Sequence, residues 1–309
     1  MTSRLSSLRI VDPVLTQLAI GYTNADFVAE VLFPLAGMEK EGGIIPKFSK
    51  EAFRLYNTLR AIRAKSNRIN PEGITPLPVI LDEHDLEYPI DYREEHDAAF
   101  PLQAHATNTV TESIQLTREK QAADLAQNPA SYAANNQMAL AGADQLDQAT
   151  SDVFEIVDTA REQIRSQIGR YPNVMQIGPV VFKALKKHPE ILDRIKYTQR
   201  AVVTEELLAS LFEVPKVVVG KAVWCDDAGS MHDVWGNFMQ LAFVPKERTG
   251  QQRDAMEPSY GYTLRRNGSN QVDTRIEDNK LEIIRCTDIF KTYLLGADAG
   301  YLISNCVSG

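Results

Sequence analysis

The sequence lacks the features of a membrane-inserted or disulfide-stapled protein. Its 309 residues include three cysteines, Cys225, Cys286 and Cys306, whose odd number and wide spacing match no metal-ligand pattern and predict reduced, mostly buried thiols. No window holds the roughly 20 apolar residues that a bilayer span needs. The polar, serine-rich start (residues 1–9) has no apolar run for a signal peptide. We therefore expect a soluble protein that is made in a cytoplasm.

The sequence also lacks an excess of positive charge, and it lacks recognisable catalytic motifs. The net charge is −8, which argues against a dedicated nucleic-acid binder, because phosphate neutralisation needs clustered cations. The negative net charge does not argue against a protein that surrounds nucleic acid without binding it tightly. No phosphate-binding loop, nucleophile elbow or Ser/His/Asp pattern is present, and His188 beside Pro189 is typical of a helix end. The sequence therefore predicts a protein that is not an enzyme and has no cofactor.

What the sequence does contain is charge sorted by sign over residues 44–97. The first half is basic and the second half is acidic. The residues that we take as candidates for contacts between subunits are Lys47, Lys50, Arg54, Arg60, Arg63, Lys65 and Arg68 on the basic side, and Asp82, Glu83, Asp85, Glu87, Asp91, Glu94 and Glu95 on the acidic side. Opposite charges facing each other across a two-stranded ladder contribute ~0.2–1 kcal/mol each, and the same arm on a neighbouring subunit would fix register. Because an isolated ribbon is marginal in water, such an arm implies a protein built to assemble.

The acidic run 82–97, with its two histidines, could also be a metal site or an acid/base site. A metal-dependent hydrolase is therefore the alternative from another functional class. An extended strand points alternate side chains to opposite faces, so these ligands would not converge. We favour an acidic strand that faces solvent or another subunit, and we predict no metal site.

The predicted elements alternate between extended and helical parts. A capping box at Thr109 and Glu112 predicts a long helix over 107–127 that ends before Asn128-Pro129. A second helix follows Ser151 and ends at Gly169, with i,i+3 ion pairs Asp158–Arg161 and Glu162–Arg165. Helices and short strands then alternate to residue 244, which predicts a compact α/β unit with Trp224 and Trp235 in its core or rim.

The last part of the chain reads as strands. We predict them at 260–264, 272–276, 280–286, 289–294 and 301–305, with a tight turn at Asp278-Asn279. These strands are expected to pack on the helix at 107–127, more than 100 residues earlier. Residues 151–244 would then be an insertion.

This order of parts resembles the major capsid protein of tailed double-stranded DNA bacteriophages, whose fold is shared with encapsulins. Several phrases carry the resemblance: 27–34 (FVAEVLFP), 48–54 (FSKEAFR), Asn128-Pro129 with Tyr132-Ala133, 172–178 (PNVMQIG), His188-Pro189, 195–197 (IKY), 278–283 (DNKLEI), Tyr293 and 299–303 (AGYLI). The resemblance spans essentially the whole chain.

The resemblance implies an α+β fold of four parts. These are an N-terminal arm (1–37), an extended β-hairpin loop (38–98), a peripheral domain with a spine helix and β-sheet (99–150 and 245–309), and an inserted α/β axial domain (151–244). It also implies a structural protein of the virion, assembled in the host bacterial cytoplasm into an icosahedral head shell around double-stranded DNA.

The same resemblance implies the partners. They are other copies of the chain in pentamers and hexamers, a portal, packaged DNA bound without sequence specificity, and a separate scaffold protein. Because this sequence lacks the N-terminal scaffolding segment of some relatives, we expect a separate scaffold protein, with assembly without any scaffold as the alternative. No membrane is involved. A decoration protein is a further option.

Two alternatives remain within the fold. An encapsulin-type nanocompartment shell would hold cargo enzymes instead of a genome. Some relatives also join subunits by a Lys–Asn isopeptide bond, and loop lysines (Lys47, Lys50, Lys65) and tail asparagines (Asn267, Asn270, Asn279, Asn305) are present. Since no spacing marks such a pair, we favour non-covalent assembly.

Overall fold

The structure, a computed structural model, describes residues 11–21, 26–47, 57–60, 62, 65–68, 75–99, 101–196, 202–245 and 259–308. Within these residues the α-helices are α1 (Pro13–Gly21), α2 (Ala29–Leu32), α3 (Tyr92–Asp97), α4 (Leu102–Ala126), α5 (Val153–Ile168), α6 (Pro179–Leu185), α7 (Pro189–Ile195) and α8 (Glu205–Leu211). The strands are β1 (Leu35–Met38), β2 (Gly42–Lys47), β3 (Thr75–Ile80), β4 (Asp82–Asp91), β5 (Gln137–Ala139), β6 (Val174–Ile177), β7 (Lys216–Val219), β8 (Val223–Cys225), β9 (Met231–Asp233), β10 (Phe238–Ala242), β11 (Gly261–Arg266), β12 (Gln271–Glu277), β13 (Leu281–Leu294) and β14 (Gly300–Ser304). No helix among them is long and apolar enough to cross a bilayer.

The first of two five-stranded sheets is organised around β13. This 14-residue strand pairs antiparallel with β4, β11 and β12, while β1 runs parallel to β11. The predicted division of β13 into strands at 280–286 and 289–294 is wrong. Thr287 and Asp288 suggested a break because they are polar, yet both are buried in a continuous strand. Their polar atoms are satisfied within the fold, since Thr287 donates to Asp85, and Asp288 accepts from Arg265 and Ser269.

The long helix α4 packs on this sheet, as predicted for the helix and the returning strands. Ala106, Val110 and Ile114 form a buried cluster with Ile284 and Phe290 of β13. The predicted end of the helix is confirmed, but the predicted start at 107 and the capping box at Thr109 are wrong. The helix begins at Leu102, five residues before 107, and the Thr109 hydroxyl donates to the carbonyl of His105 inside it instead of capping it. At 25 residues the helix is ~37 Å long.

The second sheet has the strand order β5-β14-β10-β6-β7 and a core of its own with α5 to α8. The helix α5 matches the prediction, with Asp152 capping its start, Gly169 at φ 67° ending it, and both i,i+3 ion pairs formed. Two of the five strands, β5 and β14, lie outside the predicted range 151–244. The reason is that β14, near the end of the chain, pairs with β10 and β5.

Two small ribbons complete the fold. Strands β2 and β3 pair antiparallel, and β8 pairs with β9. In the β2–β3 ribbon Ile45 and Val79 are buried against the first sheet's cluster, whereas Ile44 and Ile80 are 72% and 66% exposed. The predicted turn at Asp278-Asn279 is confirmed, since both residues have positive φ (50° and 55°), as a tight hairpin turn requires.

Candidate assembly surfaces and the Glu119 junction

The acidic strand β4 is part of the first sheet, where it pairs with β13. Its register with β13 runs from Asp91↔Leu281 to Asp82↔Phe290. The expected ladder of β4 acids against basic residues 47–68 is not found within the described residues, and most of that basic segment lies outside them. The strand β4 pairs with the long, largely buried strand β13, because this pairing also buries Ile90 of β4.

Three of the predicted acidic candidates form ion pairs inside the chain. Asp82 lies 2.9 Å from Lys291, and Asp85 lies 3.7 Å from Arg285. Glu87 accepts from both terminal nitrogens of Arg275, at 2.6 and 2.9 Å. Each pair is partly exposed, so each contributes little to stability and leaves the carboxylates within reach of another molecule.

Of the other acidic candidates, Glu83 lies near the start of β4, and the remaining three lie at or just before α3, a six-residue helix with no buried residue. Asp91 caps its start and forms a capping box with Glu94. Glu83 and Glu95 are exposed. His84 is stacked on Phe290 with ring centroids 4.2 Å apart, and burial lowers its pKa. Within the described ranges, no three His, Cys, Asp or Glu side chains come together as a metal ion would require.

The basic candidates are only partly within the described residues. Arg60, Lys65 and Arg68 are exposed. Lys47 ends β2, whereas Lys50, Arg54 and Arg63 lie outside the described residues. Between the basic residues, Leu59 and Ile62 are 85% and 94% exposed. Exposed apolar and basic side chains in one segment form a surface suited to contact another protein chain.

The N-terminal helix α1 is apolar on two sides. Leu15 and Ala19 are buried against the cluster that contains α4, while Val14 and Ile20 are 74% and 54% exposed. Asp12 caps the helix by accepting from the backbone amides of Val14 and Leu15. The outer side of α1 is thus a second uncovered apolar surface.

A buried carboxylate joins three parts of the chain. Glu119 on α4, which the sequence pattern assigned to the polar side of the helix, is 2% exposed. Its Oε1 accepts from the backbone amide of Val28 at 2.9 Å and from Trp235 Nε1 at 2.6 Å, and its Oε2 accepts from the amide of Ala29 at 2.9 Å. Burial raises the pKa of Glu119, and the hydrogen bonds from Trp235, Val28 and Ala29 oppose that rise. Sequence reasoning missed this junction because no local signal distinguishes it.

Other polar contacts join α4 to the parts around it. Gln127 donates to the carbonyl of Val234 at 3.0 Å and accepts from the amide of Gly236 at 3.0 Å. Tyr132, just after α4, donates to the carbonyl of Ala126, and its hydroxyl bonds that of Tyr260. Burial raises the pKa of both tyrosines, so both remain neutral.

Comparison with known proteins agrees with the resemblance seen in the sequence. The profile of the family described as phage major capsid protein E matches residues 20–281. The chain is 57% identical to the major capsid protein of Burkholderia phage BcepMu over 301 residues, 97% of this chain and 98% of that one. A phage-related protein from Bordetella bronchiseptica RB50 has a similar structure, with a TM-score of 0.82, 34% identity and coverage of 96% and 98% of the two chains.

Encapsulins share the fold at much lower sequence similarity. The SrpI encapsulin of Synechococcus elongatus PCC 7942 aligns with a TM-score of 0.52 at 12% identity, covering 96% of this chain and 95% of that one. The α+β architecture expected from the resemblance is therefore confirmed as the fold of phage capsid proteins and encapsulins. With a family profile over most of the chain and a relative at 57% identity along its length, the chain belongs to the phage major capsid protein E family.

Proposed function

We propose that many copies of this chain close into the icosahedral head shell of a tailed phage and enclose its double-stranded DNA, with no catalytic step of their own. The observation that carries the proposal is the 57% identity to a phage major capsid protein along nearly the whole of both chains. The structure supports it with apolar surfaces that this chain leaves uncovered.

The β2–β3 ribbon supplies the first such surface. Its two faces are both apolar, but only the face with Ile45 and Val79 is covered by this chain. The face with Ile44 and Ile80 is available to a neighbouring subunit. Burying two isoleucines from water contributes ~1.5–3 kcal/mol each, which makes the ribbon an effective contact when copies are at high local concentration.

The outer side of α1 and the exposed segment around Leu59 and Ile62 supply further contacts. The charged candidates of residues 47–95 add register and partner choice more than affinity. Several weak contacts per subunit hold a shell firmly, because each added contact acts within an assembly that is already formed.

The net charge of −8 suits a shell whose inner surface repels DNA instead of binding it. We infer that DNA is enclosed without sequence-specific contacts. A portal and a separate scaffold protein would act with the shell protein during assembly in the host cytoplasm, and a decoration protein would bind outside.

The double substitution Ile44→Thr/Ile80→Thr tests the proposal. We expect the full-length chain to form uniform shells by negative-stain electron microscopy and sedimentation, and the double variant to remain as small oligomers that unfold at an unchanged temperature. Ile276→Thr, which alters a 76% exposed isoleucine on β12, is the matched control. Unaltered shells from the ribbon variant would contradict the role of the ribbon.

The contents of particles purified from phage-producing cells distinguish a genome shell from a cargo compartment. We expect nuclease-protected double-stranded DNA inside. Particles that contain a stoichiometric enzyme and no DNA would favour the encapsulin-type alternative. A monomer at all concentrations, even with the phage's other assembly proteins supplied, would contradict both.

A further inference from the structure

The Glu119 junction is where the N-terminal part of the chain is fastened to the rest. Val28 immediately precedes α2, and Ala29 is its first residue, so the carboxylate takes up two amides that the start of a helix leaves without partners. We call residues 27–33 the entry segment, because they lead through Pro34 into β1 and then to the β2–β3 ribbon. Trp235, which also bonds Glu119, lies just before β10 of the second sheet.

The charged groups around Glu119 come from four elements. Next to it on α4, Arg118 forms an ion pair with Glu30 of α2 at 2.6 Å. Arg265 on β11 pairs with Asp288 on β13 at 2.8 Å. All of these residues line one cavity of about 350 Å³ together with Glu119, and Cys286 of β13 lies in the same wall. Both arginines are already paired with a carboxylate, so Glu119 is held mainly by amide and indole donors.

The two carboxylate oxygens of Glu119 accept different numbers of hydrogen bonds. Oε1 accepts from two donors, Val28 and Trp235, whereas Oε2 accepts from Ala29. A carboxylate can accept all three hydrogen bonds, but a protonated carboxyl group carries an O–H that is itself a donor. A proton on Oε2 would take the lone pair that Ala29 does not use and would make that oxygen a poorer acceptor, so the hydrogen bond from the Ala29 amide would weaken. The Oε1 side would keep its two donors.

We propose that Glu119 is a positioning residue that fastens the entry segment to α4 and the second sheet, and that one proton on its Oε2 loosens the hold on Ala29 of that segment while Val28 and Trp235 stay attached through Oε1. The proton comes from solvent and no bond other than O–H forms. Weakening of the bond to Ala29 loosens the first turn of α2, and with it the connection to the ribbon. The inference concerns the single chain and does not depend on what the shell contains.

The direction of the effect follows from burial. Because burial raises the pKa of Glu119, protonation occurs at a pH above 4.5, the ordinary value for a glutamate. The entry segment is therefore fastened at neutral pH and loosened in mildly acidic solution.

Trp235 provides a direct reporter of the junction. The chain has two tryptophans, and Trp224→Phe removes the one beside His232, leaving Trp235 alone. In this variant we expect the Trp235 emission to shift in a single step with a midpoint above 4.5. Over the same step, hydrogen exchange of residues 27–33, corrected for the intrinsic effect of pH, should accelerate about tenfold.

Two further variants separate positioning from a merely structural role. Glu119→Gln in the Trp224→Phe chain places an amide N–H₂ where Oε2 was, which imitates the protonated state. We expect fast exchange of residues 27–33 at every pH and no step in the emission. Glu112→Gln, a half-buried glutamate two turns earlier on the same helix, should behave like the parent.

The proposal would be overturned by either of two results. One is a Trp224→Phe chain whose emission and exchange do not change between about pH 7 and about pH 4. The other is a step that persists in Glu119→Gln. If Glu119→Gln does not fold, the Trp224→Phe chain still decides, because its titration is measured on an intact junction.

Discussion

Arg285 on β13 lies in register between Asp273 on β12 and Glu87 on β4, and it holds Asp273 through two nitrogens, Nε at 3.2 Å and Nη2 at 2.7 Å. Asp273 is 5% exposed, so this pair is the buried end of a row of charges that crosses three strands. At the other end, Arg275 reaches Glu87 in a more exposed position. The row offers a direct comparison between a buried and an exposed ion pair.

We predict that Arg285→Ala lowers the free energy of unfolding by about 1–3 kcal/mol, because it leaves the buried carboxylate of Asp273 without its cation. The matched control is Arg275→Ala, which removes a partly exposed arginine from the same sheet and should cost less than about 1 kcal/mol. Chemical denaturation of the purified chain measures both. Equal effects of the two substitutions would contradict this account.

The glutamines Gln176 on β6 and Gln240 on β10 are paired directly in the second sheet and are 0% and 1% exposed. Within the described structure, none of their four side-chain amide atoms has a hydrogen-bond partner. Burying such groups is costly, so replacing both by methionine should raise the free energy of unfolding by about 1–3 kcal/mol. Thermal and denaturant unfolding of the double variant test this. A decrease would mean that the two amides bind internal water that methionine cannot replace.

Gly220 follows β7 at a point where Trp235 approaches the backbone. A Cβ added there would lie 2.1 Å from Cδ1 of Trp235. Gly220→Ala must therefore displace the indole and break its bond to Glu119, and we expect a loss of about 1–3 kcal/mol with a shifted Trp235 emission. Gly42→Ala is the control, because its Cβ would meet only the Val79 carbonyl at 3.8 Å. Normal stability and emission in Gly220→Ala would show that the site can relax.

The three thiols differ in access and in acidity. Cys225 is exposed, whereas burial raises the pKa of Cys286 to about 11 and of Cys306 to about 12. Since the thiolate is the reactive form, the folded chain should react with an alkylating reagent at one cysteine near neutral pH, and the unfolded chain at all three. Mass spectrometry counts the modified sites. Cys225→Ser should abolish the fast reaction, and rapid labelling of Cys286 would contradict the burial described for β13.

Local signals predicted local structure well. The helix α5 was predicted because a cap, a repeating apolar side and a terminal glycine all lie within it. The strand β6, one of the short strands expected before residue 244, is the short apolar run between Asn173 and Gly178. The burial of Trp235 and of two of the three cysteines was also expected from residue type and is confirmed.

What could not be predicted depends on residues far apart in the chain. The partner of β4 is β13, nearly 200 residues later, and nothing in the acidic sequence of β4 predicts this pairing. Glu119 bonds groups 91 and 116 residues away, and its place on α4 suggests a solvent-facing acid. The candidate contacts between subunits stay a prediction, because they depend on a second copy of the chain.

The position of β14 has a consequence for how the chain is made. This strand lies between β5 and β10, so the second sheet stays in two pieces until residues 300–304 have been synthesised and released from the ribosome. Pairings between distant parts of a chain also form slowly. A nascent chain therefore completes its second sheet only after β14 has left the ribosome, long after the other four strands have been made, which delays formation of an assembly-ready subunit until then.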